Sequence, residues 1–226
     1  LVKLGIAGAL VGVLVKAATQ FSKKIDEVGK TFGFITNANV EFRDGLIDAG
    51  NEAMMVGKGL GDVLSVTSQL SSEFGITLGE ASDLSRTILD TAVATGISND
   101  EATKLFGTFM QIGGLTEDQA ENLIESTAQL AFQKGVAPTA VLRDMAGSAE
   151  EIAGFTKDGG ENIAEAAVQA RQMGLSLSTT AGIAKSLLDF ESSITNEIEA
   201  SVMIGKQLNF QRARQLALEG DIAGAT

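Results

Sequence analysis

The sequence predicts an all-α chain: short helices in series that pair into helical hairpins, as a bundle or a solenoid-like array, with a longer helix near the C-terminus. Three observations predict it. A small punctuation mark (Gly, an apolar residue, then usually Ser or Thr) begins at Gly75, Gly96, Gly114, Gly135, Gly154 and Gly174. Glycine takes the left-handed conformation that ends a helix, the apolar residue packs back on the last turn, and the hydroxyl caps the next helix. The marks recur at steps of 21, 18, 21, 19 and 20 residues, so every second mark falls on the two-helix period of helical repeats. Beyond the last mark, Ile183, Leu187, Phe190, Ile194, Ile198 and Val202 are spaced 4, 3, 4, 4 and 4, a helical stripe.

Four segments follow in order. Residues 1–20 hold an apolar, Gly/Ala-rich helix. Within it, residues 4–15 (LGIAGALVGVLV) carry no charge and lie between Lys3 and Lys16. As a helix they reach roughly 18 Å, short of the ~30 Å bilayer core. Gly8 and Gly12 form a GxxxG pair that allows close helix contact. The expectation is that Gly8, Leu10, Gly12, Val13 and Leu14 meet apolar surroundings, either a neighbouring helix or lipid. Residues 21–74 read as short helices with mobile joints. Patches such as Phe21, Ile25 and Val28 are interrupted by Gly29, Gly33, Gly45, Gly50, Gly57, Gly59 and Gly61, and a helix over 62–73 places Val63, Val66 and Leu70 on one face.

Residues 75–177 form the hairpin array. Capping boxes start its helices at Thr77 with Glu80, Ser98 with Glu101 and Thr116 with Gln119. At the Gly135 mark the cap is replaced by Pro138, the single proline, at a first helical turn. Residues 178–226 hold the longest uninterrupted helix, about 178–204, ended by Gly205. Asn209 then caps a last helix over 210–219, which puts Phe210, Ala213, Leu216 and Ala217 inward and its Arg, Gln and Glu residues outward. Local hairpins can cover only part of the stripe from Ile183 to Val202, so it predicts self-association, the alternative being that it packs entirely on the chain's own helices.

Composition narrows the chemistry. In 226 residues there are 26 Gly and 11 Phe but no Tyr, Trp, Cys or His, and the net charge is −12. Small side chains bury little area each, so the core is expected to be thin and helped by self-association or confinement. The acidic balance disfavours a grip on nucleic-acid phosphates or on anionic headgroups. Without His or Cys there is no His-based triad, no thiol chemistry and no His or Cys metal ligand. GKGLGD at 57–62 fails both phosphate-loop templates, because Glu52, Gly59 and Asp62 occupy positions that need Gly or a hydroxyl residue, and reads as a flexible joint. Glu125-Ser126 and Glu191-Ser192 match a Glu-Ser dipeptide of lytic transglycosylases, but inside helices and with no Tyr or Trp to line a sugar cleft. The remaining carboxylates read as caps and wet faces. No catalytic, cofactor-binding or metal-binding residue, and no cofactor, is expected.

The run from Gly174 to Ala225 resembles the tail tape measure proteins of tailed bacteriophages. The pieces that carry it are LLDFESS (187–193), IEASVMIGKQLNFQRAR (198–214) and ALEGDIAGA (217–225), with the alternation of GISNDEATKLF (96–106) and GLTEDQAENLI (114–124) upstream. The resemblance covers about residues 96–226. It implies a helical, catalytically silent structural protein of the virion, in the tail tube lumen or at the tail tip. Such a protein sets tail length during assembly and can enter the host membrane on DNA delivery, through a segment such as 4–15. The implied partners are other copies of the chain, with a trimer the expected multiple, tail tube and tail-tip or baseplate proteins, and the host membrane, with no direct nucleic-acid contact. The capped short helices fold back instead of running as a rod, so the chain is expected to be a folded portion of a longer protein, starting as it does at Leu1. The alternatives are an α-solenoid-like protein-binding module, a membrane-active helical protein and a cell-wall hydrolase fragment.

Overall fold

The computed structural model describes residues 40–157 and 160–222, together with 23, 224 and 225. Among the described residues there are eleven α-helices and no strand. In order they are α1 (Val40–Ala53), a short 3-10 turn (Met54–Val56), α2 (Leu60–Phe74), α3 (Leu78–Thr95), α4 (Asn99–Gln111), α5 (Glu117–Gln133) and α6 (Pro138–Ala146). Then come α7 (Ala149–Phe155), α8 (Glu161–Gln172), α9 (Leu177–Leu188), α10 (Phe190–Ile204) and α11 (Gln211–Glu219).

The punctuation acts as the sequence implies at five of its six positions. Gly75, Gly96, Gly114, Gly135 and Gly174 all have φ between 68° and 76°. The amide of the following apolar residue reaches back into the helix just ended: Ile76 to the Leu70 carbonyl, Leu115 to Phe109, Val136 to Ala131 and Leu175 to Ala170. These are the bonds that satisfy last-turn carbonyls. Ser98–Glu101 and Thr116–Gln119 close as full capping boxes. Thr77 and Ser176 cap the amides three residues on, and Pro138 opens α6 at its first turn.

Three boundaries depart from expectation. Helix α7 runs through Gly154 to Phe155, whose ring is buried. Thr156 turns its Oγ1 back to the Ile152 carbonyl instead of capping the next helix. The left-handed glycine at this joint is Gly160 (φ 96°), where a Cβ would press on Leu123. A further break at Gly147–Ser148 separates α6 from α7, so seven helices lie between 75 and 190. The long helix expected over 178–204 bends at Asp189, because the Asp189 carboxylate caps the Ser192 amide and takes the Ser192 hydroxyl at 2.7 Å, starting α10 afresh. Within 21–74, Gly45 and Gly50 interrupt nothing: α1 runs through both, and the missing side chain at Gly50 admits Leu60 of α2. Val63, Val66 and Leu70 are all buried on α2.

Packing runs forward along the chain. Helices α1, α3, α5 and α8 touch in succession as one row, and α2, α4, α6 with α7, and α9 form the facing row. One apolar core runs through both, from Leu46 to Ala225. Its large members, Phe106, Phe109, Leu105, Ile88 and Leu142, sit among α3 to α6. Beyond Ile163 the buried apolar residues are mostly alanine, among them Ala166, Ala167, Ala181, Ala184 and Ala217. The thin core anticipated from composition is therefore found at one end of the array, where α9 packs on α8 and α11.

Candidate assembly surface

The thin end carries the most exposed apolar surface. Helix α10 leaves the array at the Asp189 bend and turns its polar side toward the body. Ser193 is 4% exposed, and Glu197, Ala200 and Ser201 are half-buried beside it. Its outer side carries apolar residues among polar ones: Phe190, Ile194, Ile198, Val202, Met203 and Ile204 are exposed, from 46% at Phe190 to 87% at Met203, beside exposed Glu191, Ser192, Thr195, Asn196 and Glu199. An amphipathic surface helix normally buries its apolar stripe. This one leaves its apolar stripe exposed.

A buried arginine explains the orientation. Arg214, on α11, donates through Nε to the Ser193 hydroxyl at 2.8 Å and through Nη2 to the Ser193 carbonyl at 3.2 Å. The same Nη2 pairs with the Glu197 carboxylate, and the two side chains are 10% and 18% exposed. Glu197 also accepts the Phe210 amide at 3.2 Å, and Ser201 Oγ accepts the Leu208 amide at 2.9 Å. Little water reaches this cluster, so its charge-assisted bonds are stronger than surface ones. The loop from Gly205 to Phe210 is tied to the inner face of α10. Helix α11 is in turn held at its far end, where Lys157 Nζ donates to the Glu219 carbonyl and Asn162 to the Gly220 carbonyl. A groove of about 400 Å³ runs beside the outer ridge, between Ile198, Val202, Lys206 and Leu208.

The six-residue stripe read from sequence is therefore divided. Leu187 packs at the edge of the core on α9, and Ile183 stands partly exposed on the same helix. Phe190, Ile194, Ile198 and Val202 share the exposed side of α10, joined by Met203 and Ile204, which the spacing did not include. Arg214 was expected to face water and is instead buried, while Ala217 is buried and Phe210, Ala213 and Leu216 are half-buried as expected. The last helix starts one residue later than expected, with Phe210 at its N-cap and no side-chain cap there; Asn209 Oδ1 accepts the Gln211 amide at 2.9 Å from one residue further out. Gly8, Leu10, Gly12, Val13 and Leu14 lie outside the described residues.

The other motifs resolve as local structure. GKGLGD is a hydrogen-bonded node where a flexible joint was expected. Asp62 accepts the Gly59 amide at 2.8 Å and the Asn99 side chain at 2.9 Å, and Lys58 donates to Asn99 at 2.8 Å, tying α2 to the start of α4. Glu125 and Glu191 are exposed on separate helices. Ser126 bonds the Leu123 carbonyl and Ser192 bonds Asp189, so neither Glu-Ser pair forms a unit. Among the described residues no three His, Cys, Asp or Glu side chains converge to hold a metal ion, and no helix is long and apolar enough to cross a membrane. Compared with models of protein families, with curated proteins and with solved structures, the chain matches none.

Proposed function

We propose that this chain is a non-catalytic assembly protein, a folded portion of a phage tail tape measure protein that works from the tail lumen or tip and joins copies of itself. The observation that carries the assembly reading is α10, which shows Phe190, Ile194, Ile198 and Val202 to solvent while Ser193 and Glu197 hold it to Arg214. Contiguous exposed apolar surface of this kind marks interaction sites. The tail reading is supported by the resemblance of residues 96–226 and fits an all-helical fold among the described residues.

The experiment is to raise antibodies to the folded chain and probe purified virions and assembly intermediates of the phage that encodes it. The expected result is labelling of assembled tails at the tube or tip. Absence from both tails and tail intermediates would overturn the tail assignment.

A further inference from the structure

A single non-helical residue joins α9 to α10. Asp189 is at once the C-cap of α9 and the N-cap of α10, with φ −79° and ψ 84°. Its φ already lies near the helical value, and turning its ψ to about −42° runs the two helices together. We propose that Asp189 is a hinge and Arg214 its clasp: when the clasp opens, α9 and α10 join into one straight helix over 177–204. The hinge is a property of the single chain, so it stands or falls apart from the self-association proposed above.

Three features point to a hinge. The apolar spacing passes through the bend unbroken: Ile183, Leu187, Phe190, Ile194, Ile198 and Val202 belong to one helical stripe, which the bend divides between two helices. No proline stands between Leu177 and Ile204, and the one glycine there, Gly182, lies inside α9, so no residue obliges a break. Second, α10 has no apolar anchorage. Its one buried residue is Ser193, so swinging it outward uncovers no large apolar side chain of its own. Third, what holds it across the bend is polar and comes from α11 and the loop before it: Arg214 on Ser193 and Glu197, the Phe210 amide on Glu197 and the Leu208 amide on Ser201. Bonds of this kind exchange for water at small net cost. On opening, Arg214 and Glu197 reach water together, so neither charge is left buried alone.

The chain has the slack to open. The far end of α11 is pinned independently, by buried Ala217 and by Lys157 and Asn162 on the Glu219 and Gly220 carbonyls. Between that end and α10 lie the loop from Gly205 to Phe210 and the first turn of α11, Gln211 to Arg214, which begins without a side-chain cap. Extended, those ten residues reach roughly 33 Å. Helix α10, with 15 residues, is only about 22 Å long. The bent form keeps the Arg214 bonds and the Asp189 cap on Ser192. The straight form gains the backbone ladder across the joint and sets the whole stripe on one face. Two arrangements separated by one residue's ψ and a few polar bonds make a two-state element, with the hinge at an element terminus.

The chain has no cysteine, so spin labels on Ser178→Cys and Met203→Cys, both exposed, report the distance across the joint. In a straight helix these positions lie on one side and roughly 37 Å apart, and any bend brings them closer. Pulsed dipolar spectroscopy of the labelled chain should give the shorter distance. Adding Arg214→Ala should move the population to the long distance with the helical circular dichroism unchanged. Asp189→Ala removes the cap and favours a helix through the joint while leaving Arg214 in place, and should raise the ratio of long to short distances roughly tenfold. If both variants keep the short distance, Asp189 is a fixed corner and the hinge is overturned. A broad spread of distances in Arg214→Ala, with helical signal lost, would overturn it equally, because α10 then melts instead of straightening.

Discussion

At the residue scale, the molecule turns on side chains whose neighbours come from distant positions. Arg214 is the clearest. Its sequence context, RARQLALEGD, reads as a solvated helix, and nothing local says that the loop from Gly205 to Phe210 folds it under α10. Deleting one member of a buried pair strands the other, at about 3 kcal/mol where burial is nearly complete. Arg214→Ala should therefore release α10: limited proteolysis should cut within 189–210 at least several-fold faster than in wild type, while the α1–α8 portion stays protected. Gly107 is a second case. It lies inside α4, where helix propensity favours Ala by about 1 kcal/mol, yet a Cβ there would run into the Phe74 ring at the end of α2. Overpacking of this kind costs about 1–3 kcal/mol, so Gly107→Ala should lower Tm in thermal denaturation despite the better propensity. By contrast, the caps at Ser98, Thr116 and Pro138 were legible, because capping chemistry is contained within four residues.

At the element scale, the same locality explains what the sequence reveals and what it hides. Helix ends marked by glycine were readable wherever the next helix began at once. The Gly154 mark failed because Phe155 had a place in the core and the chain then took five residues to start α8. The Asp189 break was readable in principle, since Asp is a favoured N-cap residue, but the unbroken apolar spacing concealed it. The helices also differ in how they respond to acid. Asp100 is held below its usual carboxylate value chiefly by the hydrogen bond from Lys104. Glu101 also lies low: burial pushes it up, but the Ser98 cap and Arg143 at 2.7 Å outweigh that. Their stabilisation is present above the ordinary carboxylate range and is lost as pH falls through their lowered values.

Glu121 on α5 behaves oppositely. Burial raises its carboxyl first, and repulsion from Glu125, Glu117, Asp118 and Asp90 adds to this. Its contribution is most favourable when it is protonated, below its ordinary value, and is lost as pH rises through the raised one. At neutral pH it is an ionised member of two like-charged i,i+4 pairs, each destabilising by about 0.2–0.5 kcal/mol. Glu121→Gln should raise Tm at neutral pH, and the gain should fade as pH falls into the acid range. An equal gain at all pH values would contradict this origin.

At the scale of the whole molecule, the gradient in the core links composition to function. Large side chains fill the middle of the array, alanines close its C-terminal end, and the bulky apolar residues of that end are displayed on α10. Composition made the thin core legible, but not its placement, because alanine serves equally as helix former and as close-contact residue. The choice between a closed bundle and a forward-running array was likewise not legible: identical hairpins serve both, and the two rows of successive contacts are a property of their stacking. On the proposed self-association, the net charge of −12 opposes the approach of two copies. Two such chains repel at long range, so their association should tighten as salt rises toward roughly 1 M, where the Debye length is about 3 Å. Burying a Phe and several Ile at about 1.5–3 kcal/mol each supplies the attraction.

Sedimentation equilibrium of the intact chain, wild type beside Ile198→Asp, tests the assembly surface most directly. Ile198 is 60% exposed, so the substitution leaves the core untouched and should preserve the helical circular dichroism. The account predicts a wild type that associates at micromolar concentration and a variant that is monomeric and folded. A wild type that stays strictly monomeric over that range, or a variant that associates as well as wild type, would contradict it.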